Sequence, residues 1–336
     1  MKRNWPSDWQ PTYIQGGAGP YPFSAPETRA VGRFILDHPN IAAVQSYHNS
    51  GGMILRGPGA SYVESMYGAG DRRVYDEIGK IGEDILPYYR YMVIYKDLYT
   101  VHGGFVTWTA EGLGIFSFTN ELWTNSRYFQ RDVNRPDDER MWLFRDRLAF
   151  GQQFTDYTEY DHPQYGKVLI GGLNKWSSRN TPTFMLEEEC HRNFAFTMYH
   201  ADQMAQVRFD RTQIENIGDG LWQITTEIKN DKVMPTRSGI QRRNGIGPND
   251  LLICESAADG SVVASGTLRT WRDRQMSEVR DEPGRIQLSG GIPGRGGTIF
   301  RFLVTGQAGD DVTLRFEAEK AKNIQTTVTL AEDGAD

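Results

Sequence analysis

Apolar residues recur along the chain in two different rhythms. After Pro26-Glu27, positions Ala30, Val31, Phe34 and Ile35 follow at helical spacing, so a helix opens there. Ile41-Ala42-Ala43-Val44 is a short apolar run that reads as a buried strand, and it ends in Ser46-Tyr47-His48-Asn49-Ser50-Gly51-Gly52. A second helix is expected over residues 71–86 and a second buried strand over Gly114–Leu122. Strands that alternate with helices point to an α/β sheet with both faces covered. Residues 123–182 read as an irregular insertion with a helix over Asp137–Phe150 and a strand over Lys167–Ile170. Met185–Met204 is strongly helical, with an apolar stripe of Leu186, Cys190, Phe194 and Met198. Ahead of all these, residues 1–26 are rich in Pro, Gly and aromatics and read as a long surface loop.

From about Val207 the rhythm changes to short alternating runs, among them LWQITTEIKN, TIFRFLVTG and DVTLRFEAEKA, separated by turn signals such as Ala258-Asp259-Gly260. Several short strands at this spacing read as an all-β sandwich. The expected division is therefore 1–206 for the α/β part and 207–336 for the sandwich. A length of 336 residues suits two domains, and 16 Tyr, 16 Phe and 8 Trp supply bulky core material. The net charge of −6, with both signs interspersed, leaves no basic surface that would suggest a nucleic-acid or membrane partner. No apolar run approaches spanning length. Cys190 and Cys254 are too few for a disulfide framework or a cysteine zinc cluster and read as free thiols. The opening MKRNWPSDWQP lacks the pattern of a secretory leader. Oligomeric state is not readable.

Three polar features sit where strands should end, which is where α/β sheets gather ligand groups. His48 follows the IAAV run and can offer a ring nitrogen to a metal or a hydrogen bond to its neighbours. Glu121 closes a run containing Ile115, Phe116 and Phe118, so its carboxylate is expected at the rim of a core, where burial raises its pKa and suits it to proton transfer. In Lys2-Arg3-Asn4 a guanidinium could clamp a carboxylate with two parallel hydrogen bonds. A fourth cluster, Glu187, Glu188, Glu189, Cys190 and His191, lies on one helix. Its acids sit at the amino end, where the helix dipole welcomes them, and it reads as structural.

Taken in order, Arg3-Asn4-Trp5, SYHNSGGMILRGPG with His48, YTVHGGFVTW with Tyr99 and Trp108, and FSFTNEL with Glu121 resemble the zinc carboxypeptidases of the M14 type. The resemblance runs from Arg3 to about Met204 and covers the later part of such a peptidase domain; the helix from residue 183 looks like the family's final one. It implies an incomplete, carboxypeptidase-like mixed sheet flanked by helices, ahead of the sandwich. It implies zinc as cofactor, with His48 as one ligand, Glu121 as the catalytic glutamate, Arg3 as the anchor for a peptide's terminal carboxylate and Tyr99 as a tyrosine that closes over substrate. Lys2 stands where the family usually has asparagine and could also pair with the carboxylate. The resemblance also implies that Val106 helps floor the specificity pocket, and it and the neighbouring Thr107, being uncharged, suit apolar or neutral C-terminal residues. The implied partner is a peptide or protein C-terminus, and the implied location is secreted or periplasmic. The sandwich resembles accessory β domains of bacterial members.

The family's other zinc ligands form a His-x-x-Glu pair upstream of the arginine, and none of His38, His48, His102, His162, His191 and His200 is followed by Glu at that spacing. The expectation is that Met1 is an internal methionine of a longer protein and that the first domain alone is marginally stable. A catalytically inactive fragment that binds peptide C-termini is the alternative reading.

Overall fold

The computed structural model describes residues 2–128, 135–177, 179–256 and 260–331. Strands β1 (Ala43–Asn49), β2 (Met53–Arg56), β3 (Arg90–Val93) and β4 (Phe116–Leu122) form one mixed sheet in the order β1-β4-β2-β3. β1 runs parallel to β4, β2 runs antiparallel to β4, and β3 runs parallel to β2. Alternation along each strand sorts side chains to two cores. Ile54, Phe116 and Phe118 enter one core, while Leu55 enters another on the opposite face. Helix α2 (Ala69–Ile85) covers the first face with Val74, Tyr75 and Ile78. Its Gly82 permits close approach: a Cβ there would lie 2.6 Å from Ile54 Cδ1 and 2.7 Å from Phe196 Cε2. The other face is covered by Trp5, Trp108 and Ile115, with α1 (Pro26–Asp37) and the short α3 (Phe105–Thr107) beside them.

Four sequence expectations need correction here. The opening 26 residues do not merely cover the surface, because Asn4, Trp5 and Ala18 are buried. Helix α1 buries Thr28, Gly32 and Ile35, whereas Val31 and Phe34 are exposed; the Phe23 ring occupies the space a side chain at Gly32 would fill. Helix α5 (Leu186–Asp202) turns Leu186, Phe194 and Met198 outward and buries Asn193, Phe196 and His200 instead. That inward face fits β4, since Asn120 Nδ2 donates to Asn193 Oδ1 at 2.8 Å and the Phe118 ring meets both Phe196 and His200. β1 is also longer than the apolar run and half-buried, because it lies at the sheet's edge.

Residues 137–173 form α4 (Asp137–Arg147) and a hairpin of β5 (Phe154–His162) and β6 (Gly166–Leu173). From Val207 the chain is antiparallel sheet. β7 (Val207–Gly218), β8 (Leu221–Asn230), β10 (Val262–Leu268), β11 (Ser277–Glu278) and β13 (Gly296–Thr305) make one layer. β9 (Asp250–Ser256), β12 (Arg285–Leu288), β14 (Asp311–Glu317) and β15 (Ile324–Thr329) make the other. Their facing residues, including Trp222, Ile224, Leu252, Phe300, Phe302, Leu314 and Phe316, share one core. Ala258 and Asp259 of the expected turn lie outside the described residues. Between β8 and β9, α6 (Gly239–Asn244) is closed by a capping box of Ser238 and Gln241 and by Gly245 in the left-handed conformation. Val233, Met234 and Ile240 of this connection pack into the same core as Tyr75 and Ile78 of α2.

Candidate functional site

His48 and Glu121 are paired residues at the carboxyl ends of the parallel strands β1 and β4. The period of two sends both side chains to the face opposite α5, toward which Tyr47 and Asn120 point. His48 Nδ1 lies 3.3 Å from Glu121 Oε1, with the histidine side chain 32% exposed and the glutamate 15%. Lys2, Arg3, Tyr99, Val106 and Thr107 line the same cleft, together with Leu55 and Thr119. All seven residues singled out from the sequence therefore share one site. Arg3 Nη2 donates to the Tyr99 hydroxyl at 3.4 Å, so the tyrosine, itself largely exposed, reaches across the guanidinium. The cleft's enclosed room is about 40 Å³. Thr107 is buried and donates its hydroxyl to the Gly104 carbonyl at 2.9 Å, leaving the floor beside Val106 without an unpaired donor.

Arg3 is held in place from behind. Trp5 N–H donates to the Gly103 carbonyl at 3.1 Å, and Gly103, at φ +59°, leaves room for the Arg3 carbonyl: a Cβ there would come within 2.4 Å of it. The next residue, Asn4, is 1% exposed and uses its whole amide. Its Nδ2 donates to the carbonyls of Ala18 (2.6 Å) and Tyr21 (2.8 Å) and to Ser24 Oγ (2.8 Å). Its Oδ1 accepts from Ala25 N–H and Thr28 Oγ1, both at 2.9 Å, and so caps α1 from 21 residues away. Sequence reading quoted Asn4 only as part of a motif. A lone Asn between Arg and Trp gives no local sign that a distant helix start depends on it.

Glu111 was missed altogether. It is 4% exposed, accepts from Ser7 Oγ at 2.5 Å and from the Tyr67 hydroxyl at 3.2 Å, and burial pushes its carboxyl up to about 7. Nearby, Asp8 accepts from Tyr62 at 2.6 Å and pairs with His102 Nδ1 at 2.7 Å. These groups tie the first eight residues to the segment after Tyr99. The acidic cluster on α5 is engaged structurally: Glu188 pairs with Arg192 at 2.8 Å, and Glu189 accepts from Trp123 N–H at 3.0 Å.

A catalytic zinc site takes three protein donors and keeps a fourth position open, and a closed structural one takes four. Among the described residues no three His, Cys, Asp or Glu side chains converge in that way, so His48 and Glu121 by themselves do not fit such a centre. What the arrangement offers chemically is a cationic anchor, a small uncharged pocket, and a carboxylate beside an imidazole.

The zinc carboxypeptidase family matches residues 1–144. This segment belongs to that family. The carboxypeptidase segment thus contains every residue of the cleft, and the chain has a mixed α/β part of carboxypeptidase type followed by antiparallel sheets. Residues 206–329 match a domain of unknown function, DUF8731. No curated protein matches the chain. Similar solved structures include a carboxypeptidase A from Helicoverpa armigera, 22% identical over 42% of this chain and 39% of that one, with a TM-score of 0.31. Another is the thrombin activatable fibrinolysis inhibitor, 26% identical over 38% of this chain and 34% of that one, with a TM-score of 0.30. The chain thus spans well under half the length of either protein. No helix among the described residues is long and apolar enough to cross a membrane.

Proposed function

We propose that this chain carries the substrate-recognition and proton-transfer side of a zinc-dependent metallocarboxypeptidase, an enzyme that releases C-terminal residues from peptides. One observation carries the reading: Arg3, Tyr99, His48 and Glu121 line a single cleft within the carboxypeptidase segment. Arg3, aided by Lys2, anchors the terminal carboxylate through charge-assisted hydrogen bonds. Val106 and Thr107 floor the side-chain pocket. Neither side chain carries a charge, so an apolar or neutral end residue suits the pocket. Tyr99 covers the anchored carboxylate. Glu121 takes the proton of the attacking water and returns it to the departing amine. His48 is the zinc ligand that this chain contributes in the proposal. The described residues do not complete a zinc centre, so no step is assigned to the metal. A secreted or periplasmic location goes with this reading.

The same incompleteness favours a second reading, a fold that binds peptide C-termini without cleaving them. Calorimetric titration with an N-blocked dipeptide and with its C-terminal amide, alongside metal analysis, separates the two. Free-carboxylate peptide should bind at least about tenfold more tightly than the amide, and Arg3→Gln should erase the difference. Stoichiometric zinc with hydrolysis selects the enzyme. Discrimination without zinc or hydrolysis selects the binding protein. Equal affinity for both peptides sinks both readings.

A further inference from the structure

We propose that the junction between α2 and the sandwich is a second binding site, for a phosphate-bearing small molecule, separate from the cleft. A cavity of about 600 Å³ opens there, and five arginines line it: Arg73 on α2, Arg237, Arg242 and Arg243 around α6, and Arg295 ahead of β13. Such a cluster runs against the chain's net charge of −6. Two acids share the lining, and both are engaged. Glu77 pairs with Arg295. Asp71 accepts from Gly239 N–H at 2.7 Å and lies 3.8 Å from Arg243 Nη2.

Two of the remaining cations are not neutralised. Arg73 and Arg242 are exposed and have no ion pair among the described residues. Arg237 is only 4% exposed, bonds through its Nη atoms to the neutral Asn249 side chain and Ile246 carbonyl, and its Nε has no partner. The buried Asp250 carboxylate is near enough to act on Arg237 electrostatically, yet the Arg237 Nε makes no hydrogen bond and can donate to an incoming anion. The opening of α2, from its N-cap Gly68 to Asp71, lines the same cavity without a capping side chain, and this 17-residue helix adds free N–H groups and the positive end of its dipole.

Two unpaired guanidiniums and the free Nε of a third around one space suit a multiply charged tetrahedral group better than a single carboxylate. The volume is roughly twenty times the ~30 Å³ share of a water, which leaves room for a carbon skeleton or a second phosphate. The site is remote from the cleft. Gly114, just before β4, sits against Ser238 and Gln241 of α6, whereas Glu121 ends that strand, about 20 Å further along it.

Calorimetry of the whole chain with inorganic pyrophosphate and with orthophosphate, against chloride at matched ionic strength, tests this. Saturable one-to-one binding with a dissociation constant below about 1 mM is expected for pyrophosphate. The double variant Arg73→Gln/Arg242→Gln, which changes two exposed side chains, should weaken it at least about tenfold. Arg33→Gln on α1 and Arg3→Gln in the cleft should leave it intact. Absence of saturable binding to the parent chain, or unchanged affinity in a folded double variant, overturns the proposal. Circular dichroism confirms folding, and should the double variant fail there, Arg242→Gln alone takes its place under the same criterion.

Discussion

Replacing Asn4 by alanine removes five polar contacts at a stroke, three of them sharing the two hydrogens of Nδ2. Two of the former partners keep an alternative or are only partly buried: Thr28 Oγ1 also donates to the Ala25 carbonyl at 2.9 Å, and Ser24 is half-buried. The Ala18 carbonyl keeps Trp9 Nε1 at 3.0 Å and the Tyr21 carbonyl keeps the Ser24 N–H at 3.1 Å, so the lasting loss falls on one backbone group, the N–H of Ala25 at the start of α1. That unsatisfied N–H, together with the weakened support of the two carbonyls, should make Asn4→Ala cost about 2 kcal/mol of stability. Urea denaturation followed by far-ultraviolet circular dichroism and by tryptophan fluorescence, to which buried Trp5 contributes, measures it. Asn4 does not line the cleft, yet its neighbour Arg3 does, so the variant should also lose affinity for a free-carboxylate dipeptide at temperatures where it stays folded. Asn4→Asp should be no better, because it turns a carboxylate oxygen toward the Ala18 and Tyr21 carbonyls while keeping the acceptors for α1. A cost under about 1 kcal/mol together with unchanged peptide affinity would refute the bracing role of Asn4.

Other outcomes follow from the same geometry. Burial holds the Glu111 carboxyl near 7, whereas its ordinary value is 4.5, so the native state keeps a proton that the unfolded chain has lost. Stability should therefore fall as pH rises from about 4.5 to about 7, by on the order of 3 kcal/mol, and level off above; Glu111→Gln should flatten that slope in denaturation curves taken across the range. Gly103→Ala places a methyl 2.4 Å from the Arg3 carbonyl at a positive φ, and should lower both melting temperature and carboxylate discrimination. Cys190 is exposed and Cys254 buried, its thiol pushed up to about 12, so a thiol reagent should titrate one cysteine in the native chain and two in urea.

Much of the architecture was legible because it follows from local periodicity. The strand that delivers Glu121, the helix over residues 69–85 and the alternating pattern after Val207 are all properties of short windows. His48 and Glu121 stood out separately as polar groups at strand ends, but their 3.3 Å approach depends on β1 pairing with β4 across some seventy residues, which no local pattern encodes. The helices show where local reading fails. On α5 the apolar stripe is real but faces outward, and a polar face with Asn193 goes inward, because Asn120 on β4 supplies its partner. On α1, Phe23 fills the space over Gly32. Glu111 escaped notice for a similar reason: two hydroxyl groups, from Ser7 and Tyr67, make its burial tolerable, and they arrive from distant parts of the chain.

The connection from Val233 to Ile240 lies in the sequence of the antiparallel part, yet its apolar side chains complete the packing around Tyr75 and Ile78 of the mixed sheet. A protein cut after residue 206 would lose those side chains and uncover part of the core that α2 shares with the sheet. The two matched segments are therefore expected to unfold as a single thermodynamic unit. Heating should melt them in one calorimetric peak, and a protease able to cleave between them should act only on globally unfolded molecules.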